Sequence, residues 1–178
     1  MIYKFRIISD ENKMFARELL IESGQSFLDF HNCLQKDLAY DPLQLSSFFI
    51  TNASWEKKLQ ITLIDMMDEE SGNVITMDQA RIGEHLKEQG ARMLYVFDFF
   101  SERSFFIELT DILDIPESRV LPKVVFSHGD PPPQIDLGLD NLGFSDEELS
   151  DDLSGDDPGD GFNDEDLDFL DADDFPNE

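Results

Sequence analysis

The chain has little positive charge, a single cysteine and no long apolar run, and each shortage closes off a class of function. Only 13 Lys and Arg stand against 40 Asp and Glu in 178 residues, a formal net charge of −27. Proteins that hold nucleic acid neutralise its phosphates with Lys and Arg, so a surface this negative repels a duplex and no direct nucleic-acid binding is expected. The lone Cys33 excludes an intrachain disulfide and fits a reducing compartment. No stretch approaches the roughly 20 apolar residues of a membrane span. Met1 leads directly into a strand-like segment carrying Lys4 and Arg6, without the apolar core of a signal peptide. A soluble, cytoplasmic protein without membrane contact is the expectation. The ten glycines form neither nucleotide-binding spacing, so no cofactor is expected either.

What is present is unevenly distributed. Residues 130–178 hold 19 acidic and no basic residues, five of the ten Gly and five of the eight Pro, and Ile135 is their single β-branched residue. The first 129 residues keep 21 acidic against 13 basic residues, 12 of the 16 Phe and the only Trp. A segment this rich in like charge buries too little apolar surface to offset roughly 1–2 kcal/mol of backbone entropy per ordered residue. The division is therefore a folded domain over 1–129 and a disordered acidic tail over 130–178, meeting at the Pro131-Pro132-Pro133 run.

Within the first part, Tyr3, Phe5 and Ile7 alternate with Lys4 and Arg6, the period of a half-buried strand. Met14 to Glu22 is ambiguous, because its residues are good helix formers while Phe15, Arg17, Leu19 and Ile21 also fit a strand face. Phe27, Phe30, Leu34 and Leu38 fall at helical spacing, with Ser26 as N-cap, Asp29 in the first turn and an end near Asp41-Pro42. Strands are predicted over Leu45 to Asn52 and Leu59 to Asp65, followed by an acidic loop from Asp68 to Asn73. Thr76 with Gln79 suits a capping box and Gly90 a left-handed C-terminal cap, which predicts a helix over Met77 to Gln89. Met93 to Phe100 and Phe105 to Leu109, joined by Ser101 to Ser104, read as a hairpin. A turn or short helix around Pro116 spans Asp111 to Arg119, and a last short strand covers Lys123 to Phe126. The sum is an α+β fold with a mostly antiparallel sheet and two main helices.

Three stretches carry a resemblance: SFLDFHNCLQKDLAYDPLQLSSFFI (Ser26 to Ile50), LYVFDFFSERSFFIEL (Leu94 to Leu109) and LPKVVFSHGDPPP (Leu121 to Pro133). They resemble the plasmid pRiA4b ORF-three-like family, also described as insertion-element passenger proteins of the TnpR type. The first matches the family helix without a gap through Phe30, His31, Leu34, Gln35, Leu38, Ala39, Tyr40 and Asp41. In the hairpin Tyr95, Phe97, Asp98 and Phe99 agree, whereas a Gly-Asp pair is here Phe100-Ser101, and a Trp and a His are Arg103 and Phe105. Tyr40 replaces a Trp, Gln44 a His, and Asp130 the Cys before the Pro-Pro turn. The resemblance implies a strand over Met14 to Ile21, a retained fold and a mobile-element context. It implies no enzymatic activity, and none of it covers the acidic tail.

The candidate polar residues each have an ordinary structural role to set beside a chemical one. His31 and Cys33, two apart, lie roughly 200° around a helix and cannot chelate one metal together, while His85 and His128 are isolated in sequence, so no metal site is expected. His31 sits on the apolar side, where a structural hydrogen bond is the expected role. Cys33 lies mid-helix, away from the terminus that would lower its pKa, and reads as a buried, inert thiol. Asp98 stands in an aromatic run where an unpaired charge is costly, so a pair with Arg92, Arg103 or Arg81 is expected. In the tail, Asp156 to Leu167 mimics a calcium loop but fails at Pro158 and Leu167. Its Leu149, Leu153, Phe162, Leu167, Phe169, Leu170 and Phe175, set among acids, are instead the pattern of anchors that a partner buries.

Two functions follow from the residues, and the resemblance adds a mobile-element-associated accessory protein as a further alternative. The first is a non-enzymatic interaction module whose acidic arm binds a basic protein surface. The second is a small-molecule or hydrolytic site around His31, Tyr95, Asp98 and Arg103, which requires those groups to converge on one pocket.

Overall fold

The computed structural model describes residues 1–64, 75–114 and 120–135. The acidic loop, most of the Pro116 turn, all seven tail anchors and the tail from residue 136 lie outside the described residues. Along the chain run β1 (Ile2–Ser9), β2 (Ala16–Glu22), α1 (Phe27–Leu38), β3 (Ser47–Thr51), β4 (Lys57–Thr62), β5 (Ile75–Thr76), α2 (Ile82–His85), β6 (Arg92–Asp98), β7 (Arg103–Leu113) and β8 (Lys123–His128). The strands form one sheet in the order β5-β4-β3-β6-β7-β1-β2-β8, antiparallel throughout except for β4 against β5. This is the α+β architecture expected, with its second helix reduced to a single turn.

The alternation along β1 places Tyr3, Phe5 and Ile7 on the side facing the core while Arg6 stays exposed. Ile7 is paired with Arg17 in β2 and Phe5 with Leu19, so Arg17, Leu19 and Ile21 share that buried face. Met14 to Glu22 has helix-forming residues, yet pairing on both sides of β2 takes its backbone and tertiary context prevails. The centre of the core is aromatic. Phe48 of β3 meets Phe27 at 5.3 Å and Phe30 at 5.5 Å from α1, and Tyr95 of β6 at 4.8 Å, while Phe30 also meets Phe5 of β1 at 5.3 Å.

Helix α1 begins where its sequence says. Ser26 Oγ accepts from Asp29 N at 3.1 Å and Ser26 N donates to Asp29 Oδ2 at 2.9 Å, a full capping box. It stops at Ala39, which takes the left-handed conformation (φ 55°) while Tyr40 N donates to Gln35 O.

The predicted helix over Met77 to Gln89 is corrected to Ile82–His85. The capping residues there close a turn instead: Gln79 N and Ala80 N both donate to Thr76 O. Met77 N then pairs with Thr62 O, and the carbonyls of Ala80 and Met77 accept from Phe27 N and Leu28 N. Those two N–H groups are orphans of the first turn of α1, so the segment serves as a backbone cap for another helix and cannot spend its carbonyls on its own. Gly90 does adopt a positive φ of 86°, but at the entrance to β6, where its N–H donates to Leu109 O.

Two strand ends also differ from expectation. Phe99 and Phe100 leave the sheet because Asp98 Oδ1 accepts from Phe100 N (2.9 Å) and Ser101 N (3.2 Å), which ends β6 in a side-chain turn. Phe100 is fully exposed as a result. At the far end β7 continues through Leu113, opposite Ile2 to Lys4, in place of the turn predicted from Asp111. The Lys4–Asp111 ion pair at 3.1 Å lies in that extension.

The compact unit runs from Met1 to Asp136, so Asp130 to Ile135, placed in the tail by composition, belong to the domain. Asn12 Nδ2 donates to Asp130 O at 2.9 Å, Tyr40 Oη to Pro132 O at 2.5 Å, and Gln134 exchanges hydrogen bonds with the backbone of Asp41 at 2.6 and 3.0 Å. No helix among the described residues is long and apolar enough to cross a membrane.

Candidate functional site

The four candidate residues divide into two polar clusters. In the first, His31 from the buried side of α1 meets Tyr95 from the core face of β6, with Nδ1 and Oη 2.8 Å apart. Gln35, one helical turn beyond His31, donates from Nε2 to the same Oη at 2.7 Å, and Ser46 Oγ lies 3.3 Å from Nδ1. All four side chains are buried. Gln35 Nε2 can only donate to Tyr95 Oη, and the direction of the His31 Nδ1–Tyr95 Oη hydrogen bond follows the tautomer of the imidazole.

Burial sets the electrostatics of this cluster. It holds His31 down at about 4, from an ordinary 6.5, and pushes the Tyr95 phenol up to about 12, against smaller opposing contributions from Ser46 and Gln35. Neither group is poised to exchange a proton near neutrality. A base whose folded pKa lies below its unfolded value binds fewer protons folded than unfolded between the two. Its contribution to stability is complete above about pH 6.5 and is lost as pH falls towards about 4. The difference in unfolding free energy between the natural chain and His31→Gln should therefore shrink by about 2 kcal/mol between about pH 7 and about pH 4.5, a difference in which shared carboxylate titrations cancel. Urea titrations at both pH values measure it, and a difference that does not move with pH refutes the buried neutral imidazole.

The second cluster closes the other end of β6. Arg103 forms a two-point pair with Glu11, Nη2–Oε2 2.6 Å and Nε–Oε1 3.0 Å, and its Nη1 lies 3.8 Å from Asp98 Oδ2. The guanidinium stacks on Phe97 at 5.1 Å. Asp98 is thus shared between the β6–β7 turn and Arg103, as the expectation of an ion pair had it, although Glu11 holds the shorter contacts. The Phe97 ring also meets Tyr40 at 5.5 Å and Phe105 at 4.7 Å, and Tyr40 is the residue that fastens Pro132. Burial keeps the Tyr40 phenol protonated far above neutrality.

Among the described residues no hydrogen bond joins the two clusters. Neither the groove of about 520 Å³ between α1 and β8 nor the apolar hollow of about 260 Å³ by Leu45, Ile64 and Phe99 has His31, Tyr95, Asp98 or Arg103 in its walls. Cys33 is half-buried rather than buried, lining the groove, and burial raises its thiol above the ordinary value. His85 packs against Phe27 at 5.9 Å and His128 stacks on Phe126 at 6.5 Å.

Sequence reasoning missed three participants. Gln35 was legible, since it stands four residues after His31 on the same helix face. Ser46 and Glu11 carry no local signal: each is brought in by the sheet, Glu11 from 92 residues away.

Among the described residues, an eight-stranded α+β arrangement, with one long helix on its aromatic face and a His–Tyr–Gln network buried between helix and sheet, defines the class of protein. The chain belongs to the plasmid pRiA4b ORF-3-like family, whose profile matches residues 1–146. No curated protein matches it. Among solved structures it is similar to a protein of unknown function, MM3350, from Methanosarcina mazei Go1, with 19% sequence identity and a TM-score of 0.58 over 71% of this chain and 68% of the other. At that identity the likeness establishes the shared fold.

Proposed function

We propose that the protein is a non-enzymatic interaction module in which the domain holds an acidic arm towards a basic protein surface. The observation that carries this is the division of charge, 19 acidic and no basic residues in the last 49. Two features of the domain support it. Pro132 and Gln134 fasten the chain at Tyr40 and Asp41 just before the arm starts, which gives it a fixed point of departure. The polar groups that a hydrolytic or small-molecule site would need are divided between a buried structural network and a turn-closing ion pair. In such an arm charge speeds the encounter, and burial of Leu and Phe prolongs it.

A labelled amphipathic helix of Leu and Lys serves as the probe. Binding to the full chain should weaken steeply with salt. Replacing Leu149, Leu153, Phe162, Leu167, Phe169, Leu170 and Phe175 by Ser, which leaves the charge unchanged, should weaken it at least about tenfold. Equal binding by the Ser variant reduces the arm to a nonspecific polyanion, and no binding at low salt sinks the proposal.

A further inference from the structure

The groove of about 520 Å³ lies between the solvent side of α1 and β8. The acids on its walls are already engaged: Asp29 accepts from Ser26 N and Oγ at 2.9 and 2.7 Å, and Asp37 pairs with the buried Arg17 at 2.7 Å. Its cations are not. Lys36 and Lys123 take part in none of the ion pairs formed among the described residues. On a chain whose net charge is −27, the described residues around the groove carry a net +1, counting Lys36, Lys123 and Arg17 against Asp29 and Asp37. Its floor is formed by Val124 and the half-buried Cys33.

The strand on its far side ends the sheet. β8 pairs with β2 alone, and among the described residues no strand covers its outer edge. Part of that edge is managed from within, since the Val124 backbone lies beside the Cys33 thiol and Arg17 Nη1 donates to the carbonyls of His128 and Gly129 at 2.8 and 3.0 Å. Between them Glu18 pairs with Phe126 and Leu19 with Val124, so Val125 is an extra, bulged residue. The stretch left for a partner is Val125 to Ser127. A small molecule would need most of its surface enclosed, which a groove open to solvent does not provide, whereas an extended peptide gains from main-chain pairing as well as from side-chain contact.

We propose that the α1–β8 groove receives an extended acidic peptide of a partner protein, added beside β8, with its carboxylates on Lys36 and Lys123 and an alternate apolar side chain over Val124 and Cys33. The site is built from the domain alone and does not depend on the acidic arm.

A labelled, end-blocked peptide of alternating Glu and Val, titrated into the full chain at about 0.1 M salt, tests this. Saturable binding is expected, with amide exchange slowed at Val125 to Ser127. Lys36→Glu with Lys123→Glu should weaken binding at least about tenfold. Both lysines are exposed, so the variant should keep its fold, and Lys36→Gln with Lys123→Gln should give a smaller loss in the same direction. Indifference to both double variants, or protection at some other segment, overturns the proposal. So does displacement by isobutyrate, which would make the occupant a small carboxylate, or the absence of binding up to about 1 mM.

Discussion

Replacing Phe48 by Ala is expected to remove about 3–5 kcal/mol of stability, a large part of the roughly 5–15 kcal/mol available to a domain of this size. Phe48 is fully buried at the meeting point of helix and sheet, with its ring against Phe27, Phe30 and Tyr95 at 5.3, 5.5 and 4.8 Å. Truncation forfeits the transfer of the ring from water and leaves a cavity that three other aromatics, Phe27 and Phe30 fixed on α1 and Tyr95 on β6, cannot collapse to fill. Tyr95 is one of them, so loosening this wall also loosens the partner of His31 and Gln35. Urea unfolding should show a lower midpoint with an unchanged slope. Phe100→Ala, at a fully exposed ring in the β6–β7 turn, is the matched control and should stay within about 0.5 kcal/mol of the natural chain. A loss at Phe48 no larger than at Phe100 would mean that the aromatic centre is not the core.

The parts of this fold that were legible in the sequence are those where one local pattern decides. Alternation gave β1, helical spacing with Ser26 and Asp29 gave α1, and paired apolar runs gave the β6–β7 hairpin. Where local preference and tertiary demand disagree, residues alone mislead. The strand over Ala16–Glu22 came from resemblance rather than propensity, because only the β1 and β8 partners make it a strand. The segment after Thr76 has the marks of a helix start, yet its carbonyls are committed to the first turn of α1. Neither commitment leaves a trace in a window of neighbouring residues. At the candidate site, His31 and Asp98 were singled out for their surroundings, and each has a hydrogen-bonding or charged partner. Their division into two clusters was not legible, because it depends on which end of β6 each faces. Composition likewise placed the domain boundary at 129, since Asp130 to Gln134 are held through carbonyls and one amide side chain, contacts to which residue type contributes little.

That boundary is also where a small substitution should act strongly. Gly129 has φ +66°, and a Cβ placed on it would stand 2.4 Å from Met14 O, 2.7 Å from Met14 C and 3.1 Å from Phe15 N. The obstacle is backbone, which no rotamer change can move. Left-handed conformation in a residue with a side chain costs about 1 kcal/mol, and prising the β1–β2 turn away from the end of β8 adds to it, so Gly129→Ala should destabilise by about 3 kcal/mol. The damage should spread to the neighbours of Gly129. Arg17 donates to both Gly129 O and His128 O while pairing with Asp37, and Asn12 holds Asp130 O, so displacing Gly129 disturbs a buried cation and the first fastening of the strap together. Gly24→Ala, where nothing lies within 4 Å of the new Cβ and φ is not positive, should change stability by less than about 1 kcal/mol. Chemical denaturation of the two variants side by side separates conformational strain from the generic effect of losing a glycine. In the Gly129 variant the amide signals of Asn12, Arg17 and Gln134 should also shift. If stability falls while those signals stay in place, the strap is not held through Gly129, and the fixed departure point of the acidic arm goes with it.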